Sequence, residues 1–298
     1  MSKILVCGGS GFVGSGIVKQ LIQDGHSVRV LTRKHKQPTS SNIDFIQGNL
    51  FDASSLEQAM KDCDVVINAA QFDNAPFENY AKGLTYEKVD AQGKENIVAA
   101  AIKMNIPRIL YISGAGTSEE KKEPWFTAKV RAEKAVKSSP MKWTIFRPSW
   151  IYGPGDKSLN RMIPMIRYSP IVWILGKGYK IQPVYIDDVA KVVSMSVGNP
   201  KTIGQIYQLG GPQILTMKEI LQIVAGVLHK KRIYILVPKF LAGIVFSILG
   251  KIPGVPLTKA ALDFITMDIS ISEIELKKVE NDFSIRFETL GKALTNYL

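Results

Sequence analysis

The sequence predicts an α/β chain built on a doubly wound parallel sheet, with a smaller C-terminal lobe. Two observations carry that expectation: short β-branched runs alternate with helix-length amphipathic segments over residues 3 to 113, and the alternation breaks after Arg147. The length agrees, because 298 residues of which 46% are hydrophobic can bury a full core. A sheet core is therefore placed over residues 1–147. A mixed lobe for substrate or partner is placed over 148–298, with segments returning to the core.

The candidate strands are Lys3 to Gly8, Ser27 to Thr32, Ile43 to Gln47, Val65 to Ala69, Arg108 to Ser113 and Lys142 to Arg147. The first helix follows Gly14, since Val13, Ile17, Val18, Leu21 and Ile22 recur at helical spacing. Longer crossover helices are predicted near residues 85 to 104 and 125 to 138. Pro and Gly then punctuate residues 148 to 183, which predicts loops and short helices able to cover a ligand. Thr216 with Glu219 is a capping-box pair for a helix running to about Leu228. Asp187 and Asp188 precede an apolar helix start and are expected to cap it.

A formal charge of +12 favours anionic neighbours. Aromatic and basic residues do not cluster as a nucleic-acid face requires, so no nucleic-acid partner is expected. Cys7 in an apolar run and Cys63 in a polar turn read as reduced thiols. His26, His35 and His229 have no metal-binding spacing with each other or with the cysteines, so no metal is expected. The first strand starts at residue 3 or 4, which leaves no separate targeting region and points to a cytoplasmic location. Residues 240 to 250 are an uncharged apolar run, too short to span a bilayer, and a buried helix is predicted there. Weak monotopic contact with an anionic membrane at its inner face is the alternative, because Lys230, Lys231, Arg232, Lys239, Lys251 and Lys259 flank the run.

The chemistry-bearing motif is Gly8-Gly9-Ser10-Gly11-Phe12-Val13-Gly14, which follows an apolar strand and opens an amphipathic helix. Gly8 permits a tight turn, Gly11 lets backbone approach a pyrophosphate, and Gly14 lets helix and strand pack closely. The helix N-terminus then offers amide donors to phosphate, as in a Rossmann-type dinucleotide site. An acid at the end of the second strand would grip the ribose of NAD(H), but the residues there are Thr32, Arg33 and Lys34. Two cations suit a 2′-phosphate, so NADP(H) is favoured over NAD(H).

These residues resemble the extended and atypical branches of the short-chain dehydrogenase/reductase superfamily. Gly48-Asn49-Leu50 is similar to its adenine-contacting Gly-Asp-Leu, with Asn49 replacing the acid, and Asn68-Ala69-Ala70 to the element lining the cofactor's middle. Arg147-Pro148-Ser149-Trp150-Ile151-Tyr152-Gly153-Pro154-Gly155-Asp156, Leu159-Asn160-Arg161, residues 182 to 190 and residues 207 to 212 extend the likeness. They resemble the branch holding an accessory subunit of respiratory NADH:ubiquinone oxidoreductase (complex I) and epimerase-like NAD(P)-binding proteins. The resemblance implies cofactor contacts from Ser10, Phe12, Val13, Ala69, Ala70, Gln71, Ser113, Lys129, Pro148 and Ile151.

A reductase of that superfamily uses a Tyr, a Lys four residues later, and a Ser or Thr after the fifth strand. Here Ser113 and Lys129 stand as the catalytic remnant, while Trp125 occupies the tyrosine position. An indole N–H donates a hydrogen bond but does not usefully release its proton. Lys129 is expected to hydrogen-bond the nicotinamide ribose. Tyr111 shares the strand face of Ser113 at greater depth, and Tyr152 and Tyr185 are candidate replacement acids. The expected protein keeps its cofactor as a structural or sensory ligand, with respiratory or quinone-related protein partners. A working NADPH-dependent reductase or nucleotide-sugar epimerase, with substrate held by residues 148 to 183 and 233 to 265, and a peripheral membrane assembly factor are the alternatives.

Overall fold

Every pair of neighbours in the central sheet runs parallel, and the apolar runs of the sequence supply its strands. The computed structural model describes residues 1–34, 37, 41–176, 178–249 and 258–298. His35, Gly250, Lys251 and the Lys259 side chain lie outside the described residues. The first six strands are β1 (Lys3–Cys7), β2 (Ser27–Thr32), β3 (Ile43–Gln47), β4 (Val65–Asn68), β5 (Arg108–Ile112) and β6 (Lys142–Pro148). The short β7 (Ile151–Tyr152), β8 (Ile171–Leu175), β9 (Lys180–Ile181) and β10 (Val184–Tyr185) pair elsewhere, and β11 (Gln205–Leu209) then joins the sheet. The order is β3-β2-β1-β4-β5-β6-β11, which reverses direction between β1 and β4 and opens a crevice at their carboxyl ends.

Three predicted strands overran by one residue. Gly8, Ala69 and Ser113 follow the last residue of β1, β4 and β5 and line the crevice, with the Ala69 and Ser113 N–H groups still donating to the Cys7 and Phe146 carbonyls at 3.0 and 2.7 Å. The strand β11 was not among the predicted strands. It arrives from the lobe and pairs with β6 from Gln205 against Thr144 to Leu209 against Pro148.

Both sheet faces are covered, so strand residues are apolar on both sides. Ile4 and Val6 pack on one face with Ile17, Val18 and Leu21 of α1 (Phe12–Gln23). Leu5 and Cys7 pack on the other with α2 (Ala53–Met60), α3 (Gly93–Lys103) and α4 (Pro124–Lys137). Cys7 and Cys63 are free, buried thiols in that second cluster, and burial pushes the Cys7 thiol up to about 12.

The lobe adds α5 (Leu159–Tyr168), α6 (Ile186–Met195), α7 (Met217–Val227), β12 (Leu215–Thr216) and β13 (Ile233–Val237). It also carries α8 (Lys239–Leu249), α9 (Lys259–Ile265), α10 (Glu273–Phe283) and α11 (Leu290–Thr295). The helix α6 lies so close to α1 that a Cβ on Gly16 would sit 2.7 Å from the Ile186 side chain. The Thr216–Glu219 capping box forms at α7.

Two expectations fail here. Asp187 and Asp188 do not cap α6; Tyr185 is its N-cap, and Asp188 Oδ2 accepts the Glu288 N–H at 2.9 Å. Burial pushes the Asp188 carboxyl up to about 6. The run predicted as a buried helix does form α8, yet Ala242 is its one fully buried side chain among the described residues. It packs along α9.

Candidate functional site

Steric exclusion builds the loop from β1 into α1. Gly8 has φ +86°, and a Cβ there would lie 2.7 Å from the Ala69 and Ala70 backbone. A Cβ on Gly14 would lie 2.1 Å from the Gly8 carbonyl oxygen, so α1 can begin against β1 only with glycine at that position. Gly11 is the N-cap of α1 with no side-chain cap bond, and the first turn holds no acid. The first amides of the helix are thus left for an anion.

The loop forms one wall of a cleft of about 1330 Å³. Ordinary small-molecule pockets occupy about 300–1,000 Å³, so this one has room for a dinucleotide and a neighbouring molecule. Gly8, Ser10, Gly11, Phe12, Val13 and Gly14 line the first wall, and Thr32, Arg33, Asn49 and Leu50 line the end beside β2. Ala69, Ala70 and Gln71 line the middle; Ser113, Lys129, Pro148 and Ile151 line the far end. Lys34 is the exception. It is exposed and outside the lining, and its N–H donates to the Thr32 hydroxyl at 3.3 Å in a tight local turn. Asn68 is fully buried with its carboxamide unpartnered, and only the two alanines of its motif reach the cleft.

Asn49 shapes the turn after β3: its Oδ1 accepts the Phe51 N–H at 3.1 Å, and its N–H donates to Ser55 Oγ at 3.0 Å. A neutral amide serves that turn without placing a carboxylate in the cleft. Bare helix amides, a glycine cradle and Arg33 at the end of β2 fit the phosphates of a nicotinamide dinucleotide.

At the far end Trp125 lines the cleft one helical turn before Lys129 on α4. Its ring packs on Gly114, where a Cβ would lie 2.5 Å away, and meets Phe126 and Phe264 edge-on at 4.7 and 5.3 Å between centroids. Lys129 is not an ordinary surface lysine. It is buried, and its Nζ donates to Asp90 Oδ1 at 3.2 Å and lies 5.9 Å from the Trp125 ring centroid. Lys94 Nζ donates to the same oxygen at 2.9 Å and approaches the Tyr111 hydroxyl at 3.5 Å. One buried carboxylate therefore serves two buried amines. Burial alone would raise the Asp90 carboxyl, but the two cations outweigh it and hold it below the usual range. Burial lowers the Lys94 ammonium to about 7. Asp90 comes from a wide π-helical turn, Tyr86–Gln92, that runs directly into α3.

Ser113 is committed elsewhere. Its hydroxyl donates to Glu133 Oε1 at 2.6 Å, and Arg147 holds both oxygens of that carboxylate at 2.8 and 2.7 Å. Burial would raise Glu133, but hydrogen bonds from Arg147 and Ser113 keep it below the usual range. A hydroxyl whose proton points at a carboxylate can accept from a ligand but cannot donate to its carbonyl. Tyr152 and Tyr185 do not line the cleft; they pack 5.6 Å apart in the core of the lobe, with the Tyr152 hydroxyl buried. Neither stands ready as the replacement acid.

Asp90 and Lys94 escaped the sequence reading. Their signal is two charges four residues apart, opposite in sign, entering a helix whose inner face is Ile97, Val98 and Ala101. Among the described residues no three or more His, Cys, Asp or Glu side chains gather as a metal site.

The profile of the NAD(P)H-binding family matches residues 8–165, from the glycine loop into α5. The chain is similar to the mitochondrial NADH-ubiquinone oxidoreductase 40 kDa subunit of Neurospora crassa, 26% identical over 262 residues, or 86% of this chain and 68% of that one. It is also similar to the mitochondrial NADH dehydrogenase (ubiquinone) 1 alpha subcomplex subunit 9 of Dictyostelium discoideum, 24% identical over 227 residues. That match covers 74% of this chain but 62% of the relative, so the chain spans roughly two thirds of these relatives' length. Among solved structures, a UDP-glucuronic acid 4-epimerase of Bacillus cereus, in complex with UDP-glucuronic acid and NAD, shares the fold at a TM-score of 0.76. Identity there is 18%, and the match covers 98% of this chain and 96% of that one.

Proposed function

The chain belongs to the NAD(P)H-binding family, and from that premise we propose that it retains NADP(H) chiefly as a structural or sensory ligand, in or beside respiratory or quinone chemistry. Residues 1–147 are the dinucleotide core and 148–298 the lobe that meets a substrate or a protein partner. In this reading the Gly11 N–H closes the turn onto the Gly8 carbonyl at 2.9 Å, the amides of Phe12 to Gly14 hold the pyrophosphate, and Arg33 meets the 2′-phosphate with Lys34 beyond it. Asn49 and Leu50 flank the adenine, Ala69 to Gln71 the middle, and Ser113, Lys129, Pro148 and Ile151 the nicotinamide end. The bound cofactor supplies hydride; the residues around it decide whether a proton can follow.

One observation carries the reading: the position of the acid is filled by Trp125, packed into Gly114. The Ser113 proton points to Glu133, and Lys129 is held by Asp90. Such a ligand stabilises the fold by mass action without turnover. A reductase or epimerase reading rests on Lys129 itself, an amine lining that end of the cleft, held by Asp90 beside a second, weakly basic amine.

Titrating NADPH and NADH by calorimetry, then screening NADPH oxidation against quinones, isoprenoid ketones and nucleotide sugars, separates the two. The expected outcome is binding of NADPH, weakened about 10- to 100-fold by Arg33→Asp with a smaller change for NADH, and no turnover above background. Turnover abolished by Lys129→Met would replace the structural reading with the catalytic one.

A further inference from the structure

The helix α8 carries no charge after Lys239, and much of its apolar surface faces outward. Phe240, Leu241, Ile244, Val245 and Ile248 recur at helical spacing, which sets them on one face, and each is between 43 and 69% exposed. The chain enters α8 from β13 through Pro238, and β13 pairs in parallel with β8. On that pair Trp173 and Ile233 are also exposed, at 57 and 64%.

A cationic cluster marks the far end of the same pair. Arg232 Nε donates to the Ile166 carbonyl at 2.6 Å and its Nη2 to the Arg167 carbonyl at 3.0 Å, which draws Arg167, Lys230, Lys231 and Arg232 together. Among the described residues no carboxylate forms an ion pair with any of these four; the ion pair at this surface is Lys239 with Asp263 at 2.8 Å. Tyr168 stands beside them, 79% exposed.

Exposed apolar surface of this extent marks an interaction site. A second copy would bring four more cations and a further charge of +12 toward the first, which disfavours self-association. An anionic bilayer satisfies both halves of the surface. Acyl chains accept the α8 face, headgroup phosphates meet the cations, and Trp and Tyr suit the boundary between them. At about 1.5 Å per residue α8 is roughly half as long as the ~30 Å hydrocarbon core, so it lies in the interface. Among the described residues no helix is long and apolar enough to cross a membrane.

We propose that α8 and the outer edge of the β8–β13 pair form a monotopic docking surface for an anionic lipid bilayer. The test is flotation of the full chain with phosphatidylcholine vesicles, with and without phosphatidylglycerol, beside Phe240→Asp/Ile244→Asp and Lys230→Gln/Lys231→Gln double variants. Circular dichroism and melting curves establish that each variant is folded. The wild-type chain floats with phosphatidylglycerol vesicles at low salt and is released as salt rises. Phe240→Asp/Ile244→Asp loses at least tenfold in partitioning, and Lys230→Gln/Lys231→Gln about 30-fold, at about 1 kcal/mol per cation. Failure of the wild type to float, equal flotation on pure phosphatidylcholine, or flotation untouched by the α8 changes would overturn the proposal. A wild-type dimer that ignores vesicles and dissociates in Phe240→Asp/Ile244→Asp would assign the face to protein instead.

Discussion

At the β1–α1 end of the cleft a ligand meets backbone amides, placed by Gly8, Gly11 and Gly14, while at the β5–α4 end it meets side chains aimed by partners on other elements. The first end needs no charge of its own, because the helix N-terminus supplies donors and a partial positive potential. The second is dense with buried charge: Asp90 between Lys94 and Lys129, and Glu133 among Ser113, Lys137 and Arg147. A site made of backbone depends on steric room, so a single added methyl disrupts it. A site made of paired charges depends on every member, and loss of one leaves another buried without a counter-ion.

The sharpest way to break this contrast is Asp90→Asn. Two buried amines then lose their shared carboxylate, and urea unfolding should show a loss of about 3–5 kcal/mol. A loss below about 1 kcal/mol would mean that this end of the cleft is not held by charge. Gly14→Ala probes the other end. Its methyl meets the Gly8 carbonyl, so the loop must shift at a cost of about 1–3 kcal/mol, with loss of NADPH binding in calorimetry while the Asp90 cluster is undisturbed. Retained affinity in a folded Gly14→Ala chain would show that the amides are not placed by that close approach.

The smallest effect is a pH slope. Burial lowers the Lys94 ammonium to about 7 in the folded chain, against about 10.4 for a free lysine. Between those values the unfolded chain binds a proton that the folded chain has released. Stability therefore rises with pH across that window, by at most about 1.4 kcal/mol per unit. Denaturation midpoints of wild type and Lys94→Met from pH 7 to about 9 check it: the variant should lack this contribution, and parallel curves would locate the slope elsewhere.

The strands β1 to β6 were legible because parallel strands buried on both faces read as continuous β-branched runs between turn signals. Their ends were less so, since Gly8, Ala69 and Ser113 are continuous in pattern with the strands yet face the cleft. The strand β11 lies in a stretch whose partner, β6, is set by the return of the chain from the lobe. Lys34 was grouped with Arg33 by adjacency, but successive residues leave a strand end in different directions and only Arg33 reaches the cleft. Tyr152 and Tyr185 were candidates by residue type, and packing against each other removed them.

Sequence alone was sufficient for the glycine turn and for Arg33 without an acid beyond β2, because a methyl-sized exclusion and a missing carboxylate are properties of a few consecutive residues. It also showed Trp125 four residues ahead of Lys129. Folding decided what Lys129 and Ser113 do, since the carboxylates that hold them sit 39 and 20 residues away along the chain. Folding decided, too, that the apolar run of α8 faces outward. Hydrophobicity records a preference for burial, and only the neighbouring elements determine whether anything arrives to cover it.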